Sequence, residues 1–407
     1  MKFDESLLYN IKSDYQGIRY SLFDLATWKN GLAFKKIDFS DKGLPVIKIA
    51  ELNNGISSNT SFTQGDYGEE VFVQWDDLLF SWSGNPQTSI DVFRYRLPDG
   101  WLNQHIFKVT ANIELVTKDF LYYTLKYLKP YFTQIATNKQ TTGLGHVTIA
   151  DLKRMSVVIP QKGIQEQITS ILKAIDDKIE VNSNINENLQ QQAELLYHER
   201  FETVDRDKLP VGWRIVRLGD VATISKKSFN PAKEPEMLLE HYSIPAFDEA
   251  HFPVFEPSTA IKSNKFIVDD SCFMISKLNP TTKRVWKPYC LTANAVCSTE
   301  FIVYKAKSQE ITDFLYSVID STSFSDFMCS HVTGSTGSRQ RTTPSDTLAF
   351  ELILPNAEEI AEYQGVVSPM FEQIKCNAIE NDRLKRLRDS LLPKLMSGEI
   401  DVTDIQL

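Results

Sequence analysis

Polar side chains suited to binding nucleic acid are concentrated in loops of both halves of the chain. Lysine and arginine neutralise phosphates, arginine also bonds both acceptors on guanine, and asparagine or glutamine does the same for adenine. In the first half these candidates are Lys35, Lys36, Trp82, Ser83, Asn85, Gln87, Lys139, Gln140, Thr141, Thr142 and His146. In the second half they are Lys277, Asn279, Thr281, Thr282, Lys283, Arg284, Ser338, Arg339, Gln340 and Arg341. They predict two surfaces that contact nucleic acid; the alternative is that each loop is a solvated turn whose glycines supply positive φ.

Sequence motifs for catalysis are missing. The chain has no Gly-x-x-x-x-Gly-Lys-Ser/Thr loop for ATP and no Asp/Asn-Pro-Pro-Tyr/Phe motif for adenine methylation. Asn85-Pro86 and Asn279-Pro280 lack the second proline and the aromatic residue, so each is predicted to form a turn. The six histidines show no metal-ligand spacing, and His105 and His331 are interpreted as structural. We therefore predict neither a catalytic site nor a metal site.

The two halves of the chain repeat with a shift of about 195 residues. Leu22-x-Asp24-x-Ala26-Thr27 returns as Leu218-x-Asp220-x-Ala222-Thr223. Thr148-x-x-Asp151, which precedes Val158-Ile159-Pro160, returns as Thr343-x-x-Asp346, which precedes Ile353-Leu354-Pro355. Such a duplication predicts two similar units about a pseudo-twofold axis. Proteins with two-fold symmetry often read two-part targets.

The charge is segregated along the chain, although the whole carries a net charge of −9. Segment 163–208 contains ten acidic and five basic residues, whereas Lys277, Lys283, Arg284 and Lys287 cluster with no acid between them. Because charges beyond about 10 Å are screened at 0.1 M salt, binding follows the local field near each phosphate. The net charge therefore does not exclude DNA as a partner.

Composition indicates a folded protein of a reducing compartment. Hydrophobic residues make up 42% of the 407 residues, which is enough for two cores. The five cysteines form no CxxC pair, the N-terminus lacks the apolar run of a signal peptide, and no uncharged apolar segment of 18 residues occurs. We predict a cytoplasmic location and no membrane partner.

Hydrophobic periodicity predicts an α+β fold in each half. Short β-branched or aromatic runs at 44–50, 70–75 and 107–111 predict strands. Helical spacing covers 120–129, which ends at Pro130, and its counterpart 311–318. Strands at 155–159 and 350–354 close the two units, each at a proline.

Two long helices follow these units and carry heptad patterns. Asparagines lie at equivalent positions of the apolar seam in both copies, namely Asn182 and Asn186 in the first and Asn377 and Asn381 in the second. A buried asparagine is costly unless it is paired, and pairing sets helix register. We expect the helices, each about 60 Å long, to pack as an antiparallel coiled coil. The alternative is that each helix packs on its own unit and the asparagines face water.

Several segments also resemble the specificity subunits of type I restriction-modification systems. The C-terminal stretch 387–402 resembles the closing motif of that family. Gln165-Glu-Gln-Ile168 and the stretch 171–179 resemble its central conserved region, and 213–222 resembles the start of its second target-recognition domain. Leu102-Asn-Gln-His-Ile-Phe-Lys-Val109 resembles a recurrent stretch of such domains. The resemblance runs from about residue 17 to 402, and the second helix entry, 355–362, departs from the family pattern.

This resemblance implies a division of labour between subunits. Each target-recognition domain would read one half of a bipartite site in double-stranded DNA, and the paired helices would set the spacer and dock two modification subunits. Those subunits would bring S-adenosylmethionine and methylate adenine, and restriction subunits with a motor and nuclease would use ATP and Mg. The specificity subunit itself would carry no cofactor and would catalyse no reaction.

The predicted organisation has five segments. They are an N-terminal extension (1–16), target-recognition domain 1 (17–160), a central conserved helix (161–208), target-recognition domain 2 (209–355) and a C-terminal conserved helix (356–407). Two other functions stay open at this point. One is the recognition subunit of another restriction class, and the other is a helical scaffold that holds proteins without reading DNA.

Overall fold

The computed structural model describes residues 16–140, 143–333 and 340–403. The chain divides into two compact units: Met1–Asp177 with Lys385–Leu407, and Lys178–Leu384. Each of the two longest helices therefore contributes one segment to each unit.

The first unit is built on antiparallel strands. These are β1 (Gly17–Ser21), β2 (Ala26–Asn30), β3 (Leu44–Ile47), β4 (Phe62–Thr63), β5 (Phe72–Val73), β6 (Leu78–Ser81), β7 (Ser83–Gly84), β8 (Asp91–Arg94), β9 (Gly100–Leu102), β10 (Ile106–Ala111), β11 (Gly145–His146) and β12 (Ser156–Pro160). The main sheet has the order β2-β10-β6-β8, and a second sheet, β4-β3-β9-β5, includes the parallel pair β3–β9. β1 pairs with β12, and β7 pairs with β11.

The second unit repeats this plan. Its strands are β13 (Arg214–Arg217), β14 (Ala222–Ser225), β15 (Ser228–Phe229), β16 (Leu238–Tyr242), β17 (Val254–Pro257), β18 (Lys265–Ile267), β19 (Cys272–Ser276), β20 (Val285–Trp286), β21 (Ala295–Ser298), β22 (Phe301–Ala306), β23 (Val332–Thr333), β24 (Arg341–Thr342) and β25 (Glu351–Leu354). The sheet β14-β22-β19-β20 matches β2-β10-β6-β8 in order, and β13-β25 matches β1-β12. The predicted duplication and the mixed helix and sheet content are confirmed.

Helices cover the sheets and connect the units. They are α1 (Ile49–Asn54), α2 (Lys118–Tyr127), α3 (Lys129–Asn138), α4 (Ile149–Arg154), α5 (Lys162–Tyr197), α6 (Leu218–Val221), α7 (Ile244–Ala250), α8 (Thr312–Asp320), α9 (Thr322–Ser330) and α10 (Ala357–Ser397). Short 3-10 turns lie at Leu22–Leu25, Lys36–Asp38, Pro231–Lys233, Ser258–Ala260, Gln309–Ile311 and Asp346–Ala349, and a π-helical turn, His198–Glu202, extends α5.

Each unit has its own aromatic core. In the first unit Phe80 of the main sheet and Phe120 and Phe132 of α2 and α3 are buried together with Leu172 of α5 and Leu395 of α10. In the second unit the equivalent core gathers Phe273, Tyr304, Phe314, Tyr363 and Tyr197. Burying a large apolar side chain stabilises the fold by about 1.5–3 kcal/mol. The long helices are therefore structural parts of both cores.

The two long helices pair in antiparallel register, as predicted. In the second unit Asn182 Nδ2 donates to Asn381 Oδ1 at 3.0 Å, and Asn377 Nδ2 donates to Asn186 Oδ1 at 2.8 Å. In the first unit Arg388 Nη1 lies 2.8 Å from Asp176 Oδ1. Asn182, Asn377 and Asn381 are 1%, 5% and 8% exposed, so the alternative that the asparagines face water is wrong.

Local boundaries differ from the periodicity where a turn residue intervenes. The predicted strand at 44–50 ends at Ile47, and Ile49 begins α1; the run at 70–75 is extended only at Phe72–Val73. The helix α2 ends at Tyr127, two residues before the predicted end, and Pro130 lies in the first turn of α3. Its missing N–H is harmless there because that position has no helical acceptor. Asn356 caps the start of α10, the stretch that departs from the family pattern. Its Oδ1 accepts from Glu359 N at 2.9 Å.

Candidate nucleic-acid interface

In the first unit the predicted residues after β6 meet those around β11. We call residues 82–87, 105 and 145–147 the first loop junction. Trp82 N donates to the His105 carbonyl at 3.2 Å, and Val147 N donates to the Trp82 carbonyl at 2.8 Å. The pairing of β7 with β11 then sets Ser83 opposite His146. Two loops that are far apart in sequence are held by backbone hydrogen bonds.

An aromatic platform occupies the first loop junction. Trp82 is half-buried and stacks on Phe107, with ring centroids 5.6 Å apart and planes 27° apart. Its Nε1 donates to Asn30 Oδ1 at 2.9 Å, and the rings of His105 and His146 lie 5.7 and 5.9 Å away. These contacts fix the indole without burying it. A fixed, partly exposed ring suits contact with a thymine methyl or a base face.

Ser83 and His146 form a polar pair beside that platform. Ser83 is buried, and its Oγ lies 2.8 Å from His146 Nδ1. Because one ring nitrogen is held by the hydroxyl, the orientation of the imidazole is restricted. The His146 side chain is half-buried, so part of the ring is accessible to a partner.

Asn85 and Gln87 lie in the predicted turn. Asn85 Oδ1 accepts from the backbone N–H of Gln87 at 2.9 Å and of Thr88 at 3.3 Å. This is a turn stabilised by an asparagine side chain. Both Asn85 and Gln87 are exposed. The turn and a role in binding are compatible, since the Asn85 amide nitrogen is not used in these bonds.

The side chain of Lys139 forms an ion pair with the buried carboxylate of Asp151. Its Nζ lies 2.5 Å from Asp151 Oδ2, and Asp151 is 3% exposed. Burial alone would raise the pKa of Asp151, but the bonds from Lys139 and Thr148 outweigh it and lower that pKa. Gln140 beside it is exposed, while the predicted contacts Thr141 and Thr142 lie outside the described residues.

Lys35 and Lys36 lie apart from these loops in the sequence, at an exposed 3-10 turn. The Lys35 backbone N–H donates to Asp38 Oδ2 at 2.6 Å, and both lysine side chains are exposed. Ile37, which follows them, is 89% exposed. This turn follows Asn30, the partner of Trp82, by a few residues. An exposed lysine pair suits phosphate contact.

The second unit contains an equivalent junction. We call residues 277–284, 300 and 340–342 the second loop junction. Lys277 N donates to the Glu300 carbonyl at 2.9 Å, and Thr342 N donates to the Lys277 carbonyl at 3.1 Å. Asn279 N also donates to the Gln340 carbonyl at 2.9 Å, beside the bridge between Leu278 and Arg341.

The two junctions have the same pattern of backbone hydrogen bonds, which we call the frame. Lys277, Glu300 and Arg341 stand 195 positions after Trp82, His105 and His146, and they make the same backbone hydrogen bonds within their own unit. In this frame Asn279 corresponds to Gly84 and not to Asn85, although Asn85-Pro86 and Asn279-Pro280 are the same dipeptide. Gly84 has φ +138° and Asn279 has φ +48°, so both take positive values. The frame is constant and its side chains differ.

Two arginines of the second loop junction are held by carboxylates. Arg341 Nε and Nη2 donate to the two oxygens of Glu300 at 3.0 and 3.2 Å. Arg284 Nε and Nη2 donate to the two oxygens of Asp248 at 2.6 and 2.8 Å. The side chain of Arg341 is 43% exposed, whereas that of Arg284 is 13% exposed.

Lys283 is fastened to α5 of its own unit. Its Nζ lies 3.0 Å from Glu194 Oε1 and 3.4 Å from Asp320 Oδ1. Asp320 is buried, and desolvation together with Glu194 raises its pKa to about 6 despite the attraction of Lys283. Lys283 thereby ties the loop after β19 to the long helix.

The remaining predicted residues of this junction are polar and close together. Asn279 Oδ1 is buried and has no hydrogen-bond partner within the described part of the chain. Thr281 and Thr282 are exposed, Lys277 and Gln340 are half-buried, and Ser338 and Arg339 lie outside the described residues. An unpaired buried acceptor is costly, so this amide is a natural point for an added donor.

Sequence reasoning missed two residues of these junctions, His105 and Glu300, and two partners that lie outside them, Asn30 and Asp248. Asn30 and Asp248 come from distant segments, and no local pattern marks them. His105, which the sequence analysis interprets as structural, is exposed and contacts Trp82. Glu300 is its counterpart 195 positions later. The signal for both was available in the repeat, since each directly precedes the strand equivalent to β10.

Two further features of the described residues bear on function. In residues 16–140, 143–333 and 340–403, no three His, Cys, Asp or Glu side chains come together as metal ligands. Within the same ranges, no helix is long and apolar enough to cross a membrane.

Comparison with known proteins shows what the chain is similar to. Residues 18–191 match the family described as the type I restriction modification DNA specificity domain. The chain is 25% identical over 390 residues to the type I restriction enzyme HindI specificity subunit of Haemophilus influenzae, with 75% of this chain and 84% of the relative covered. It is 26% identical over 321 residues to the MjaIX specificity subunit of Methanocaldococcus jannaschii, with 71% of each covered.

A solved structure shares the fold. The crystal structure of the type I restriction-modification S subunit from M. genitalium superposes with a TM-score of 0.56 at 16% identity, covering 94% of this chain and 96% of the other. Residues 18–191, which include the first loop junction, match a DNA specificity domain. Over most of its length the chain is similar to the specificity subunits of type I restriction enzymes.

Proposed function

We propose that this subunit reads a two-part DNA sequence, with each unit contacting one part through its loop junction. The observation that carries the proposal is the shared backbone frame with different side chains. Trp82, His105 and His146 occupy the positions that Lys277, Glu300 and Arg341 occupy in the other unit. A frame that is held by backbone bonds presents side chains in a fixed geometry, and different side chains select different bases.

The paired helices α5 and α10 set the spacing between the two parts of the site. Their register is determined by buried amide pairs, which have no favourable partners after a slip along the seam. Because both helices also belong to the unit cores, the register is transmitted to the loop junctions. The outer faces of these helices dock two modification subunits.

Chemistry in the complex belongs to those partners. The modification subunits bring S-adenosylmethionine and methylate adenine, and restriction subunits use ATP and Mg to move along and cleave DNA that lacks the methyl mark. The contribution of this chain is the choice of sequence. The proposal agrees with the absence of ATP-binding and adenine-methylation motifs from the sequence.

Selection from a random-sequence duplex pool tests the proposal. The full chain is assembled with its modification subunits, bound duplexes are recovered and sequenced, and the modification subunits alone serve as the control. We expect two short motifs at a constant gap, enriched only when this chain is present. A pool without a two-part motif contradicts the proposal, and it is the result expected for a scaffold that holds proteins without reading DNA.

A further inference from the structure

Two described arginines of the second loop junction, Arg284 and Arg341, hold a carboxylate through two nitrogens, and Arg341 is the more exposed of the two. Its Nε–Nη2 edge is bound to Glu300, and its side chain is 43% exposed. A guanidinium has a second edge, formed by Nη1 and Nη2, which donates two parallel hydrogen bonds. When a carboxylate holds the first edge, the second points away from it.

The backbone around Arg341 is rigid. Its carbonyl accepts from Thr333 Oγ1 at 3.0 Å, and the following residue, Thr342, is bonded through Oγ1 to the Met328 carbonyl at 3.0 Å. Glu300 is fixed as well, because its carbonyl accepts from Lys277 N at 2.9 Å. The hydrogen bonds of the junction therefore hold the backbones of both members of the ion pair.

We propose that Arg341 reads a guanine in the second half-site through its Nη1–Nη2 edge, and that Glu300 is the positioning residue that aims it. The inference rests on the proposed function. Guanine offers N7 and O6 as two neighbouring acceptors in the major groove, which match two parallel N–H donors. Adenine offers one acceptor and one donor there, so the same arginine discriminates against it.

The paired arginine in the same junction supplies a matched control. Arg284 and Asp248 have the same two-nitrogen geometry, and removing either carboxylate changes the charge by the same amount. The side chain of Arg284 is 13% exposed, so its second edge is not presented in the way that Arg341 presents its own. Glu300→Gln and Asp248→Asn therefore differ in the exposure of the arginine that is released.

The test is duplex selection with the full chain and its modification subunits, followed by measurement of affinity for the selected site and for single-base variants. We expect Arg341→Ala and Arg341→Lys to lose about tenfold of the preference for guanine at one position of the second half-site. Lysine keeps the charge but lacks the two-pronged edge. Glu300→Gln should weaken the same preference while affinity for random DNA stays constant or rises. Asp248→Asn should raise affinity for random DNA equally and leave the preference intact.

The outcomes separate this inference from the proposed function. If the wild-type complex selects no two-part motif, the proposed function fails. If it selects one, but Arg341→Ala keeps every base preference or weakens binding to all sequences equally, only the guanine assignment fails. Equal loss of preference in Glu300→Gln and Asp248→Asn would overturn the positioning role of Glu300. Thermal unfolding of each variant confirms that the second unit remains folded.

Discussion

At the scale of single residues, four cations predicted to contact DNA hold carboxylates of their own unit. Lys139 and Lys283 bind Asp151 and Asp320, which are buried, whereas Arg284 and Arg341 bind Asp248 and Glu300, which are partly exposed. A buried carboxylate cannot lose its cation without a large desolvation cost. Lys139 and Lys283 are therefore anchors of their loops, and Arg341 remains available for a base.

Asp320 gives this anchoring a pH dependence. Its pKa of about 6 in the folded state is above the ordinary value of 3.8, so the folded protein keeps a proton that the unfolded chain releases between these pH values. This group therefore favours the folded state below about pH 4, and that contribution is lost as the pH rises towards 6.

The substitution Asp320→Asn should remove this loss of folding stability between pH 4 and pH 6. The difference in free energy of unfolding between the variant and the wild type should grow by up to about 3 kcal/mol from pH 4 to pH 6, and thermal unfolding across that range measures it. Lys283 keeps Glu194 and the Asp320 carbonyl as partners. The exposed Glu249→Gln serves as the control. A difference that stays constant with pH would show that Asp320 does not titrate in this window.

At the scale of elements, the asparagine pairs determine how α5 meets α10. Exchanging the two helices converts the pair Asn182–Asn381 into the pair Asn377–Asn186, because each asparagine stands 195 positions from its equivalent. The surroundings differ: Asn182 also donates to Glu380, whereas Asn377 accepts from Gln373. The two asparagine pairs are therefore equivalent, whereas the additional residues that contact them differ.

Replacing one whole pair tests the register role. Asn182→Leu with Asn381→Leu should leave the protein folded and as stable or more stable, because a buried polar pair is exchanged for apolar packing. The gap between the two selected DNA motifs should become variable. Asn182→Leu alone leaves Asn381 without its donor and should cost about 1–3 kcal/mol in thermal unfolding. The exposed Asn184→Ala is the control, and an unchanged gap in the double variant would contradict the register role.

In each unit, a glutamine side chain of a long helix accepts hydrogen bonds from the backbone at the start of a shorter helix. Gln165 Oε1 accepts from Thr117 N at 2.8 Å, and Gln364 Oε1 accepts from Asp313 N and Phe314 N at 3.1 Å. Gln364 occurs one helical turn later than the repeat predicts. This shift explains why the entry to α10 departs from the family pattern while the contact itself is retained.

At the scale of the whole molecule, two equivalent junctions in separate units should read their half-sites independently. His146→Ala is expected to change base preference in one half-site only, and Arg341→Ala in the other only. Their effects should add in the double variant, because His146 and Arg341 are each held by hydrogen bonds within their own unit. Selection from the random duplex pool measures both at once. A single substitution that alters both half-sites, or the gap between them, would contradict independence.

The sequence by itself determined the duplication, the mixed fold of each half and the antiparallel helix pair. Hydrophobic periodicity and turn residues are local signals, and a repeat of about 195 residues is visible without any structure. The seam asparagines could be identified as paired because a buried amide needs a partner. The loops after β6 and β19 were also identified as candidate sites from residue type alone.

Only the tertiary structure decided which polar groups meet. Arg341 and Glu300 are 41 positions apart, and Lys283 and Glu194 are 89 apart, so no spacing rule joins them. The same holds for Trp82 and Asn30, and for the choice of Asn381 rather than Asn377 as the partner of Asn182. Side-chain partners depend on how distant segments pack, whereas periodicity reports only which face of an element is buried. The sequence therefore predicts that two readers exist, and packing selects the residues that each one presents.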